Sequence, residues 1–142
     1  MSDYVLIDGD RALFEATFGA ATVAVKPGSL VASGPATRDG RRLCVVGDEG
    51  SVEVKGCTYV TGQHTLAGAG TLAIAALAGD HIAQKSRSGD TPLLLVGGRF
   101  VASFTVDVPA KQPTAAGPVP DATPTYSGAG SFVTANDHLR GV

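Results

Sequence analysis

The sequence predicts a mostly-β protein of short hairpins, followed by a Pro-rich C-terminal extension. Three observations carry this. The 142 residues include 19 Gly and no Trp, and Gly at that density supplies the φ > 0 positions of tight turns. Val, Leu and Thr occur in short runs broken by Gly, a pattern of strands rather than long helices. After Val108 the composition shifts, with five Pro between Pro109 and Pro124 and little apolar surface to bury.

The elements follow in order. "YVLIDGD" reads as a strand ended by a Gly-containing turn. "RALFEATFGAA" is left between a short helix and a loop packed by Phe14 and Phe18, because its period does not decide. "ATVAVKPGSLVAS" reads as strand, type II turn at Pro27-Gly28, strand. Asp39-Gly40 between short apolar segments is a hairpin signal, and a further reversal is expected from Gly47 to Gly50. Val52-Glu53-Val54-Lys55 alternates with period two, as a strand with one buried face does. Turns are expected at Gly62 and from Gly68 to Gly70. Thr71 to Ala78 is open between helix and buried strand. Leu93–Val96 and Arg99–Val108 read as a hairpin closed by Gly97-Gly98. The expected organisation is a β domain over 1–108, a linker over 109–124 with polyproline character, and a tail over 125–142 holding one strand at Ser131–Thr134.

Charge and motif chemistry narrow the function. The net charge is −2 and there is no basic block, which argues against non-specific nucleic-acid binding. Arg38, Arg41 and Arg42 read as a solvated hairpin tip. The N-terminus lacks the layout of a signal peptide, and the longest apolar run, Thr71 to Ala78, is too short for a membrane-spanning helix. Cytoplasmic synthesis is expected, with Cys44 and Cys57 as thiols. Asp8, Asp10 and Asp48 sit in Gly-Asp turns, where Asp bonds its own backbone, and nothing pairs them for acid–base work. "GGRF" and "GAGT" lack the spacing and Lys of a phosphate loop. Ser33, Ser88 and Ser103 lack a nucleophile-elbow context. No catalytic residue and no enzyme activity are therefore expected. Tyr4, Tyr59, Phe100 and Phe104 read as core or interface, and His138 as solvent-exposed.

Three phrases share a pattern: Val25–Ser33, Thr37–Val45 and Leu95–Ser103. Each has a turn dipeptide ending in Gly, then Ser or Arg, then an apolar segment with small residues. The uneven spacing excludes a solenoid. The second phrase continues as Asp39-Gly40-Arg41-Arg42-Leu43-Cys44-Val45-Val46-Gly47-Asp48, and "VLIDGD" has a similar Gly-Asp ending. This resembles the repeat of the PAAR family, whose members sharpen the tips of contractile injection machines and phage tail spikes. The Pro-Ala-Ala-Arg string of that family is approximated by Pro35-Ala36-Thr37-Arg38. The arrangement looks most like PAAR-like proteins of extracellular, phage-tail-like injection particles.

The resemblance implies a compact conical fold of pseudo-three-fold character. It implies a structural role, capping and sharpening a trimeric central spike with one tip per trimer. Membrane puncture, transient contact with a target membrane and attachment of effector cargo go with that role, as does a place in an injection particle acting on target cells. The family often holds a metal near its vertex through His and Cys. Cys44, Cys57, His64 and His81 would be the ligands of a structural zinc here, although their spacing contains no paired ligand motif; Cys44 sits in an apolar run, where a thiol serves as a small hydrophobe. The alternative is a small β-rich module binding sugar or peptide, for which Tyr59 and Tyr126 would supply an aromatic platform.

Overall fold

The computed structural model describes residues 3–38, 40–136 and 139–141. Three β-hairpins build the body. The first runs from β1 (Arg11–Phe14) through β2 (Thr17–Phe18) into β3 (Ala21–Val23) and β4 (Gly28–Ser29). The second pairs β5 (Glu53–Thr61) with β6 (Gly68–Ala76). The third pairs β7 (Arg99–Val108) with β8 (Thr125–Val133). Neighbouring hairpins then pair in turn, β3 with β5, β6 with β7 and β8 with β1. The sheet order is β2-β3-β5-β6-β7-β8-β1-β4. Because β1, one strand in from one edge, runs on through a bend into β2 at the other edge, the sheet curls back towards itself.

Alternation in sequence dictates the interior. In β1, Arg11 and Leu13 face out while Ala12 and Phe14 are buried, as period two requires. Phe14, Phe18, Tyr59, Leu72, Phe100, Phe104 and Phe132 fill the curled sheet. Each buried aromatic removes enough apolar surface to stabilise the fold by about 2–3 kcal/mol. Glycine makes room for them. A Cβ on Gly70 would stand 2.5 Å from Phe104, and one on Gly128 would stand 2.6 Å from Phe18.

Three two-stranded arms stand at one end of this body. Thr37–Arg38 pairs with Arg41–Arg42, Ile82–Ser88 with Thr91–Leu94, and Asp3–Tyr4 with Arg140–Gly141. The three body hairpins and three arms alternate along the chain, so one polypeptide traces a pseudo-three-fold course.

Several expectations change. "RALFEATFGAA" is neither helix nor loop but strands β1 and β2. Pro27-Gly28 does not close a hairpin: Gly28 pairs with Ala12 in the sheet and is small because a Cβ would stand 2.6 Å from Val52. Gly68 and Gly70 lie inside β6 rather than in a turn. Gly97-Gly98 also joins no hairpin. Its flanks diverge, Thr91–Leu94 to an arm and Arg99–Val108 to the body, and the pair forms the corner between them. The Asp39-Gly40 hairpin is present around Asp39, which lies outside the described residues, with Gly40 at φ +80°. Thr71 to Ala76 resolves as strand.

The segment read as linker and tail belongs to the same body. Lys111–Gln112 pairs with Val119–Pro120, and Lys111 bridges to Leu66. Ala110 is fully buried. β8 is a nine-residue central strand rather than the short one expected. Its sequence, "TYSGAGSFV", carries little apolar weight, because its glycines face Phe18 and Phe100 across the core.

Candidate functional site

The three arms meet in a closed ring of backbone hydrogen bonds. The Leu6 N–H donates to the Leu94 carbonyl, Leu94 to Cys44 and Cys44 to Leu6, each at 2.9 Å. The pattern repeats two residues further out. Asp8 N–H donates to Arg42 O at 2.8 Å, Val46 to Pro92 at 2.9 Å and Val96 to Tyr4 at 2.9 Å. Bridges Val5–Leu95, Leu43–Ile7 and Leu93–Val45 complete the cycle. Three residues beyond each central position stands a glycine of positive φ: Gly9 at +85°, Gly47 at +107° and Gly97 at +57°. Glycine reaches this region without the Cβ penalty.

The ring separates two cores. Leu6, Cys44 and Leu94 are fully buried and belong to the aromatic core of the body. Their neighbours Val5, Ile7, Leu43, Val45, Leu93 and Leu95 form a second apolar cluster with Ala83 on the opposite face, as alternation along a strand demands.

Each arm is clasped to the chain that leads into it. Asp10 accepts the Ile7 N–H at 2.7 Å, the Thr134 hydroxyl at 2.5 Å and the Ala135 N–H at 3.0 Å. Asp48 accepts the Val45 N–H at 2.8 Å, and the Ser33 N–H and hydroxyl at 3.0 and 2.6 Å. In the third arm the position of Asp10 and Asp48 is taken by Gly98. There Leu95 N–H donates to the His81 carbonyl at 2.8 Å, and Gly98 N–H to Asp80 at 2.9 Å. The fully buried His81 accepts the Ala78 N–H at Nδ1, so the neutral ring donates from Nε2 to the Gly98 carbonyl at 3.1 Å. The carboxylates read as turn residues thus do turn chemistry, extended to hold the arms.

The four residues weighed as zinc ligands lie apart in role. Cys44 is on the pseudo-axis, where burial, and then Asp48, Asp10 and Asp8, push its thiol far up. Cys57 is buried in β5 with its Sγ 3.9 Å from the Val54 carbonyl. His64 shares a 2.8 Å hydrogen bond with Thr61, and His81 is committed as above. Among the described residues no group of three or more His, Cys, Asp or Glu side chains converges as a metal site would. His138 lies outside the described residues.

Tyr59 and Tyr126 do not form an exposed platform. Tyr59 is 2% exposed, donates to Asp121 at 2.9 Å and accepts the Ala110 N–H at 2.9 Å. Tyr126, half-buried, donates to the same carboxylate at 2.6 Å. This triad locks the Pro-rich segment to β5 and β8. Beside it lies an open cavity of about 440 Å³ lined by Thr61, Gln63, His64, Asp121, Thr123 and Tyr126.

Sequence reasoning missed Leu6 and Leu94 as axis residues, together with Asn136, whose amide donates to the Val5 and Leu139 carbonyls at 2.8 Å each. The available signal was an apolar residue three positions before a glycine, shared by "LIDG", "CVVG" and "LLVG". No curated protein matches the chain. The family model of the contractile injection system spike tip protein matches residues 1–142. The chain, a β protein whose three arms meet with pseudo-three-fold symmetry, therefore belongs to the family of contractile injection system spike tip proteins.

Proposed function

We propose that the chain is a non-enzymatic cap that seats, one copy per trimer, on the end of the trimeric central spike. The observation that carries this reading is the closed hydrogen-bond ring of Leu6, Cys44 and Leu94. A single asymmetric chain can meet a three-fold end evenly only if it offers three equivalent faces. Here one chain offers them by backbone geometry rather than by identical sequence. Closing a spike also covers strand ends that would otherwise pair at random.

Support for membrane puncture comes from rigidity. The sheet curls onto a dense aromatic core; Asp10 and Asp48 each fasten an arm by accepting three hydrogen bonds, and Asp80 with the buried His81 fastens the third. Such a body resists deformation under an axial load. Cargo attachment would use the end away from the arms, where the Pro-rich ribbon and the cavity beside Asp121 lie. Native mass spectrometry of the chain mixed with the spike protein of the same particle tests the capping reading. It should show one copy of this chain with three spike chains. Two or three copies per spike trimer, or no complex, would defeat it.

A further inference from the structure

The three hairpin connections of the body, Gly19–Ala20, Gly62–Ala67 and Pro109–Pro124, meet around the open cavity beside Asp121. Ala20 comes from the first, Gln63 and His64 from the second, Asp121 and Thr123 from the third. The connections differ in length and sequence, so this end has no three-fold equivalence. It suits one asymmetric partner rather than three identical chains.

The charge of the cavity is one-sided. Asp121 lines it and is itself buried. Burial favours the neutral acid, but hydrogen bonds from Tyr126, the Thr123 amide and Tyr59 overcome it and hold the carboxyl below its usual range. The group is therefore a carboxylate at neutral pH. Among the described residues no Lys or Arg forms an ion pair with it, and none lines the cavity. A buried charge is ordinarily paired. Both tyrosine hydroxyls donate to Oδ2. Oδ1 accepts only the Thr123 N–H among the described residues, at 3.0 Å. A carboxylate oxygen has two lone pairs, so Oδ1 keeps a place for one more donor.

The rest of the wall suits a cation that carries N–H groups. His64, which can itself turn positive, stands beyond ion-pair distance of Asp121. Thr61 fixes it there: the hydroxyl oxygen accepts the His64 backbone N–H at 2.9 Å and shares a 2.8 Å bond with Nδ1. Gln63 and Thr123 add neutral oxygens that accept hydrogen bonds. Tyr126 brings an aromatic ring beside the carboxylate, and a guanidinium or ammonium is attracted to such a ring. A volume of about 440 Å³ lies in the range of ligand sites.

We infer that this cavity binds a basic side chain, Lys or Arg, of a single cargo protein. Its cationic head meets Oδ1 of Asp121 and lies against the Tyr126 ring. The inference rests on the reading that cargo attaches at the end away from the arms.

The probe is Nα-acetyl-arginine amide, titrated into the isotope-labelled full chain and followed by backbone amide chemical shifts. Nα-acetyl-citrulline amide has the same shape without the charge. Signals of Gly62, Gln63, His64 and Thr123 should move with the arginine probe, at a Kd of about 1–10 mM. Citrulline should bind about tenfold more weakly. Asp121→Asn should reduce arginine binding to the citrulline level. Should that variant not fold, Thr123→Lys serves in its place. It keeps the backbone N–H to Asp121 and tethers an ammonium in the cavity, so it should abolish probe binding. The inference is overturned if neither probe moves these signals, if the two bind alike, or if the folded variant binds arginine as the parent does. Binding of the parent chain to the purified spike trimer separates the inference from the reading beneath it. Saturating arginine probe should leave that binding unchanged. Competition would place the spike at this end, defeating the cargo reading and the cargo assignment while the cation site stands.

Discussion

Gly97 and His81 fit each other: a Cβ on Gly97 would stand 2.6 Å from Cδ2 of the buried imidazole. The backbone at Gly97 also lies at φ +57°. Its counterpart in another arm, Gly9, shares a positive φ but has open space where a side chain would go. The two glycines therefore separate conformational from steric cost. Gly9→Ala should cost about 1 kcal/mol from the left-handed backbone alone. Gly97→Ala should cost about 2–4 kcal/mol, because overpacking adds about 1–3 kcal/mol. Midpoints of urea unfolding measure both, and equal costs would contradict the fit of His81 against the arm corner.

Asp48 holds its arm by accepting three hydrogen bonds from Val45 and Ser33. Asp48→Ala leaves the two backbone donors buried or half-buried without an acceptor. The expected loss is about 2–6 kcal/mol, at about 1–3 kcal/mol for each of the two orphaned donors. Ser33→Ala removes one partner but keeps the acceptor satisfied by backbone, and should cost about 1 kcal/mol. If Ser33→Ala cost as much as Asp48→Ala in thermal or urea unfolding, the clasp would not be organised around the carboxylate.

The Asp121–Tyr59–Tyr126 triad gives the fold a pH signature at both extremes. Burial opposes ionisation of Asp121, but hydrogen bonds from Tyr126, the Thr123 amide and Tyr59 overcome it and hold its carboxyl below the usual range. A depressed carboxyl contributes stability above the unfolded Asp pKa of about 3.9. That contribution disappears as the pH falls through the lower folded value. On the alkaline side, burial first and then Asp121 push Tyr59 up to about 12. A raised tyrosine contributes stability below about pH 10, lost as the pH climbs from 10 towards 12. Tyrosinate absorbance should accordingly show Tyr59 titrating late in the native protein. Tyr59→Phe should remove that late component and cost about 1–2 kcal/mol at neutral pH. A native titration indistinguishable from the unfolded chain would contradict the triad.

Neither cysteine should react with an aromatic disulfide reagent in the native state. Both are buried, and the thiolate needed for attack is suppressed at Cys44 by burial and the surrounding carboxylates. Labelling should follow global unfolding, with both thiols released together as urea is raised. Fast native labelling of Cys44 would mean that the hydrogen-bond ring opens locally.

The strands of this fold were legible wherever side chains alternate or a turn is short. Val52 to Lys55 and the Asp39-Gly40 reversal are examples, because local residues alone decide them. The pseudo-three-fold character was legible too, but in a different register. The phrase Val25–Ser33 resembles the others only because Pro27-Gly28 mimics a turn; Gly28 is small to admit Val52. The true repeat, Tyr4–Asp10, Arg42–Asp48 and Pro92–Gly98, is carried by backbone bonds between segments far apart in sequence. Side-chain identity barely marks it: its central residues are Leu, Cys and Leu. Strand β8 was hidden for a related reason, since Gly128 and Gly130 are strand residues only because Phe18 and Phe100 occupy their side-chain space. No local pattern reports a partner supplied from elsewhere in the chain.

The most direct test of the account is a cryo-electron reconstruction of the chain on the spike trimer, refined without imposed symmetry. The account predicts that the pseudo-axis through the centre of the Leu6–Cys44–Leu94 ring coincides with the three-fold axis of the spike. A tip seated off that axis would contradict it.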